Sequence, residues 1–430
     1  MTSTLLKKVA LNAPTLYQLP NGLTIIAEHL PVEAVSFNIW LDVGSAKELD
    51  EINGMAHFLE HMVFKGTPNL KMGEFERLIE ERGAVTNAAT SQDYTQYYIT
   101  TAPKDFAELA PLQLDVVLNA TIADDAFERE RLVVLEEIRR SEDNPRRRTF
   151  YRSMETCFEK LPYRRPVLGP ASVIENLQSQ QMRDFHNYWY QPASMTAVVV
   201  GNLPVEQLIE IVAEGFERHN LELKTSPETS LHQPEIAPEP PFTEILRREY
   251  TDETLQQARL VMMWRVPGMM ELEETYALDL LSVILGQGKV SRLYRELREE
   301  RGLVTQIGVN NMTHTHQGVF YISAQLPTEN LEEVEKAIAQ HIHRLQTEPI
   351  PDKDIACLRT QIANRFIFAN ERPGDRANLY GYYYSQLQNL EPALNYPQYI
   401  QRIEAEDLQA AAQKYLSTDA YALVVMKPGS

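Results

Sequence analysis

Cysteine is scarce: the 430 residues hold only Cys157 and Cys357, which lie 200 positions apart with no CxxC spacing. That scarcity excludes a disulfide framework and a thiolate metal cluster, and it predicts that both sulfurs are buried packing groups. Long apolar runs are missing as well. No segment approaches the roughly 20 apolar residues of a membrane-spanning helix, and Met1 to Ala13 carries two lysines but no apolar stretch of signal-peptide length. The expectation is a cytoplasmic chain that does not engage a membrane. Basic charge is also short, with 41 Lys and Arg against 60 Asp and Glu and a formal net charge of -19. Phosphate binding needs a basic surface, so a nucleic acid partner is excluded, and a cationic peptide is the more natural ligand.

What is present is an ordinary globular composition, 43% hydrophobic and 23% charged, in a chain long enough for two or more domains. Pro227, Pro234, Pro238, Pro240 and Pro241 fall among polar residues, a composition that resists helix and central strand. This predicts a linker at 221–245 between domains at 1–220 and 246–430. The two sides share an order of elements. Phe37-Asn-Ile-Trp-Leu41 has a counterpart in Val261-Met-Met-Trp-Arg265, and the helix end, turn and apolar strand of Tyr188 to Val200 have one in Lys414 to Val425. The fold class expected is α+β, with two homologous α/β sandwich domains related by internal duplication.

Only the first half carries a metal motif. Gly54-Met-Ala-His57-Phe-Leu-Glu60-His61-Met-Val-Phe64 has helical apolar spacing, and histidines at i and i+4 project from one face a turn apart. Two imidazoles so placed can share one zinc ion, and a catalytic zinc needs a third protein ligand and an open position. Glu60 falls between them, where a carboxylate can take a proton from water activated by the metal and pass it to a leaving amine. This is the inverted order of the HExxH signature. The third ligand is sought in Asp124 to Arg140, which has the composition of a long helix. Glu130 and Glu137, two turns apart, share a face, whereas Glu128 and Glu136 with arginines at i+3 and i+4 read as solvated surface. Spacing alone does not choose between the candidates.

Nearly the whole chain resembles the pitrilysin or M16 metallopeptidases, close to bacterial relatives of the mitochondrial processing peptidase β-subunit. In that family HxxEH is followed some 75 residues later by a glutamate ligand in a run like E-R-x-x-V-x-x-E-E, and here 75 residues separate His61 from Glu137. The resemblance implies one zinc per chain held by His57, His61 and Glu137, with Glu60 as general base and Glu130 assisting. It also implies that Gly83 to Tyr98 forms an edge strand beside the metal, where Asn87, Ala88 and Ala89 would bind substrate by strand addition.

The second half departs from the family pattern. Leu285 to Thr305 resembles R-E-x-R-G-L-x-Y, in which an arginine and a tyrosine bind the substrate backbone and steady the oxyanion. Arg298 is present, but Thr305 stands at the tyrosine position, and a threonine hydroxyl is too short to replace a phenol. The glycines at 286 and 288 lack a following GK[ST], so they read as a tight turn before a helix rather than a phosphate loop. Family members of this length pair as two halves of a clamshell around a chamber. The resemblance therefore implies a peptide-hydrolysing subunit, the zinc-bearing member of a heterodimer whose homologous partner carries the Arg/Tyr pair, with a homodimer as the simpler assembly. The alternative is a non-catalytic assembly subunit like respiratory core proteins, against which the intact motif counts. His314 and His316 read as a surface pair, and His341 and His343 as solvent-facing.

Overall fold

Val35-Ser-Phe-Asn-Ile-Trp-Leu41 alternates like a half-buried strand, yet all seven residues are buried. The reason lies in the layers of the computed structural model, which describes residues 13–218 and 237–429. The described chain forms two units, one within Met1–Arg139, Pro166–Pro234 and Phe366–Asn395, the other within Arg140–Arg165, Glu235–Arg365 and Tyr396–Ser430.

The first unit holds a six-stranded sheet of β1 (Thr15–Gln18), β2 (Thr24–His29), β3 (Val35–Leu41), β4 (Val85–Thr90), β5 (Thr95–Thr101) and β6 (Met195–Gly201), in the order β1-β2-β6-β3-β5-β4. Val35, Phe37, Ile39 and Leu41 face a core shared with helices Met55–Met62, Phe106–Leu118 and Val205–Arg218. Trp40 faces the other way and packs with Tyr380 of helix Pro373–Leu387. A Cβ on Gly381 would lie 2.0 Å from the Trp40 ring, so this close approach requires glycine.

The second unit holds β7 (Leu246–Asp252), β8 (Ala258–Pro267), β9 (Gln306–Met312), β10 (Gln317–Leu326) and β11 (Ala422–Pro428), in the order β7-β11-β8-β10-β9. Its strand directions repeat those of the first sheet. β2 runs parallel to β6 as β7 does to β11, and the remaining neighbours in both sheets are antiparallel. The paired motifs seen in the sequence are thus equivalent strands, β3 with β8 and β6 with β11, and the fold is two similar α/β sandwiches, as a duplication would leave. Helices Leu272–Gly286, Leu331–Thr347 and Ala405–Tyr415 share the core on one side of this sheet. Helix Pro145–Cys157 packs on the other.

The units are not the contiguous halves expected from 1–220 and 246–430. Each keeps its own strands, but the helix covering the second face of each sheet comes from the opposite half of the chain: 373–387 for the first, 145–157 for the second. Both begin with proline in the first turn, where a missing N–H costs nothing. Of the expected linker, 221–236 lies outside the described residues, and the rest is not loose. Glu239 is buried, accepts the backbone N–H groups of Glu159, Lys160 and Leu161, and pairs with Arg265 at 2.7 Å. No helix among the described residues is long and apolar enough to cross a membrane.

Candidate metal centre

Helix Met55–Met62 starts at Gly54, whose φ of +100° and contact with the Leu168 carbonyl, 2.6 Å from any Cβ, admit no side chain. Buried Glu48 caps it: Oε2 accepts the Gly54 N–H at 2.8 Å and Oε1 the Ala56 N–H at 2.7 Å. A carboxylate there satisfies orphan donors and complements the helix dipole. Phe58, Leu59 and Met62 fill the core, and Phe58 stacks on Phe127 of the helix Asp124–Asp143 at 4.6 Å. That helix is fixed by Arg131, which lies over Phe127 and donates to the carbonyls of Ile174, Glu175 and Leu177.

The two helices bring His57, His61 and Glu137 together. Glu137 Oε2 lies 3.5 Å from His57 Nε2 and 3.6 Å from His61 Nε2. Zinc bonds of about 2.0–2.2 Å in a tetrahedron place ligand atoms roughly 3.4 Å apart, so this donor set fits the ion. It is the one group of three His, Cys, Asp or Glu donors so gathered among the described residues.

Glu130 stands behind His61. Its Oε1 accepts from Nδ1 at 2.9 Å, leaving the Nε2 lone pair aimed towards Glu137, and its Oε2 pairs with Lys65 Nζ at 2.8 Å. Burial alone would raise the Glu130 carboxyl, but the hydrogen bonds from His61 and Lys65 outweigh it and hold the group below its ordinary value. Glu60 has the opposite balance. Burial raises its carboxyl, and the Thr90 hydroxyl, donating to Oε2 at 2.5 Å, offsets that only in part. Near it the buried hydroxyls of Tyr97 and Tyr190 meet at 2.8 Å. Thr90, Lys65 and this tyrosine pair were not singled out from sequence. Lys65 follows His61 at i+4, which was the available signal.

Among the described residues β4 ends the first sheet, pairing only with β5. Thr90, its last residue, is the one bonded to Glu60. Asn87 is exposed and Ala88 and Ala89 are half-buried, with Ala88 turned to the core. Alternation puts Asn87 and Ala88 on opposite faces, so what these three residues offer in common is backbone. Glu128 and Glu136 pair with Arg131 and Arg139, each at 2.8 Å, as solvated acids.

In the second unit Arg298 is exposed on the π-helical turn Tyr294–Glu300, stacked over Tyr294 and donating to its hydroxyl at 2.5 Å. The Thr305 hydroxyl is taken up by Gln257 and the Gln325 carbonyl. Three sequence expectations need correcting. His314 is buried and stacked on Tyr163 at 4.2 Å, not a surface residue. His341 is buried and bonded to Glu296 at 2.9 Å, while His343 is exposed as expected. Cys157 is buried, but Cys357 is exposed.

Two family models match the chain. "Insulinase (Peptidase family M16)" covers residues 24–171, which include every metal-centre residue, and "Peptidase M16 inactive domain" covers 176–362. The chain belongs to the M16 peptidase family. Within it, the chain is similar to the zinc protease PqqE of Helicobacter pylori, 28% identical over 95% of this chain and 92% of that protein. It is also similar to an uncharacterized zinc protease of Rickettsia felis, 27% identical over 93% and 94%. The solved structure of a protease from Helicobacter pylori superposes with a TM-score of 0.90 at 28% identity, covering 96% of this chain and 99% of that one. The periplasmic protease PqqL of Escherichia coli shares the fold, with a TM-score of 0.81 at 18% identity over 98% of this chain and 48% of that one.

Proposed function

We propose that the chain is a zinc-dependent endopeptidase subunit acting on unfolded peptides. The observation that carries this reading is the convergence of His57, His61 and Glu137 on one point, with Glu60 beside it and bonded to Thr90 at the end of an edge strand. The named zinc proteases among its relatives support it. The "inactive domain" model falls on 176–362, past all of these residues.

His57, His61 and Glu137 would hold one zinc, which when bound supplies Lewis-acid polarisation of a carbonyl and an acidified water. The rest is the work of the chain. An extended peptide adds to the free edge of β4 through backbone groups, which favours unfolded substrates and little sequence preference. Glu60, its carboxyl raised by burial, takes the proton of the attacking water and delivers it to the leaving amine. Glu130 keeps His61 in the tautomer that offers Nε2, with Lys65 balancing its charge.

Thr305, committed to Gln257 and Gln325, offers no phenol for an oxyanion, and Arg298 is held against Tyr294. We therefore assign the chain to the zinc-bearing side of a heterodimer that closes a chamber with a homologous subunit carrying the Arg/Tyr pair. The test is cleavage of a mixed set of unstructured peptides by the purified chain, alone and with candidate partners, with zinc measured on the same sample. A zinc-loaded chain that cleaves only with its partner supports the assignment. A homodimer cleaving at full rate would sink the heterodimer, and a chain without zinc would sink the peptidase.

A further inference from the structure

The second sheet has a cavity on the face that carries helix Pro145–Cys157, opposite its core. It measures about 310 Å³ and lies within the second unit, at the small end of the range for ligand sites. Strand alternation builds its floor. Leu260, Met262, Phe320 and Ile322 point into the core, so Arg259 and Tyr321, offset by one, point the other way. The register sets Arg259 opposite Gln325, which is paired in turn with Gln306. Arg146 and Thr149 come from the helix above.

Two independent features call for a ligand. The first is charge. In a chain of net charge -19 the cavity lining includes two arginines and no aspartate or glutamate. Nearby arginines are neutralised: Arg148 pairs with Asp252 and Arg265 with Glu239. Among the described residues neither Arg146 nor Arg259 forms an ion pair at contact distance, Asp252 attracts Arg259 while pairing with Arg148, and Arg259 Nε is buried without a hydrogen bond. Burial, and then the nearby Arg146, press the Arg259 guanidinium below its ordinary value. A half-buried cation beside a second cation costs stability unless a counter-charge arrives.

The second feature is Gly308, in the middle of β9. A Cβ built there meets nothing within 4 Å, and its backbone is ordinary strand. Neither conformation nor crowding requires glycine, which weakens a strand. What glycine provides here is open floor in the cavity that Arg146 and Arg259 also line.

We infer that this cavity binds a compact anion, a phosphate or carboxylate group on a small molecule, held by the guanidinium groups of Arg146 and Arg259 with the Tyr321 hydroxyl beside them. A guanidinium fork matches either group bidentately. The volume suits a small molecule.

The experiment is calorimetric titration of the full-length chain with inorganic phosphate and, separately, with succinate, repeated on Arg259→Gln, Arg146→Gln and Gly308→Val. The expected result is saturable binding of at least one anion, weakened about tenfold or more in each arginine variant and lost in Gly308→Val, whose side chain occupies the floor. The preferred anion separates a phosphate-bearing from a carboxylate-bearing ligand. Without anion, Arg259→Gln should melt at or above the wild-type temperature, because an unpaired charge is removed; an arginine with a structural role would lower it. Zinc content should be unchanged throughout, which keeps this test separate from the peptidase reading. Absence of saturable binding by both anions, or binding that survives all three variants, would overturn the inference.

Discussion

His61 Nδ1 and Glu130 Oε1 are 2.9 Å apart, and through that bond a residue 69 positions away decides which imidazole nitrogen faces Glu137. Outer carboxylates of this kind typically tune metal affinity 10–100-fold. Glu130→Gln should therefore weaken zinc binding by about tenfold or more while leaving the fold intact, as read by chelator competition alongside far-UV circular dichroism. Unchanged affinity would remove Glu130 from the site.

Glu48 supports the same helix from its start. Replacing it with Gln turns an NH₂ towards an N–H donor, and loss of a buried acceptor costs about 1–3 kcal/mol. The urea midpoint of Glu48→Gln should fall accordingly, and zinc affinity with it. A variant as stable as wild type would mean that Gly54 and the core alone hold the helix.

Glu28 is buried and accepts from Arg376 at 2.5 Å and from the Tyr380 hydroxyl at 2.8 Å, tying helix Pro373–Leu387 to β2. Breaking one side of a buried pair leaves the other charge uncompensated, at a cost of about 3–5 kcal/mol. Glu28→Gln should lose stability on that scale in chemical denaturation, whereas Glu33, exposed and bonded to Asn202, should tolerate the same change.

Asp279 gives a pH signature. Burial pushes its carboxyl from 3.8 up to about 6, against hydrogen bonds from Asn311 and Tyr396. A raised acid favours the folded state fully below its unfolded value, and that contribution fades as pH rises through about 6. Asp279→Asn should thus be the more stable protein above that pH by about 1–2 kcal/mol, allowing for partial exposure. The gap should close towards pH 3.8. Melting temperatures across this window test it, and a gap independent of pH would contradict it.

How much of this was legible in the sequence depended on distance along the chain. HxxEH is read from one helix turn, and the strand pairs β3/β8 and β6/β11 from two short runs, because each is a local pattern. Glu137 lies on another helix, and spacing could not choose it over Glu130. Both acids reach the site, one against each side of His61. The exchanged helices were invisible because an amphipathic stripe shows that a face is buried but not which sheet buries it. His341 was misread although the signal was present: it continues the spacing of Val334, Ile338 and Leu345, all buried in helix Leu331–Thr347. His314 had no such signal, since its partner Tyr163 lies far away in sequence.

Zinc stoichiometry tests the central claim most directly, because it does not depend on a partner chain. Metal analysis of the purified protein, after dialysis against a weak chelator, should give one zinc per chain for wild type and for Glu60→Gln, and essentially none for His57→Ala, His61→Ala or Glu137→Gln. Zinc absent from wild type, or retained when His57 and His61 are both removed, would contradict the account.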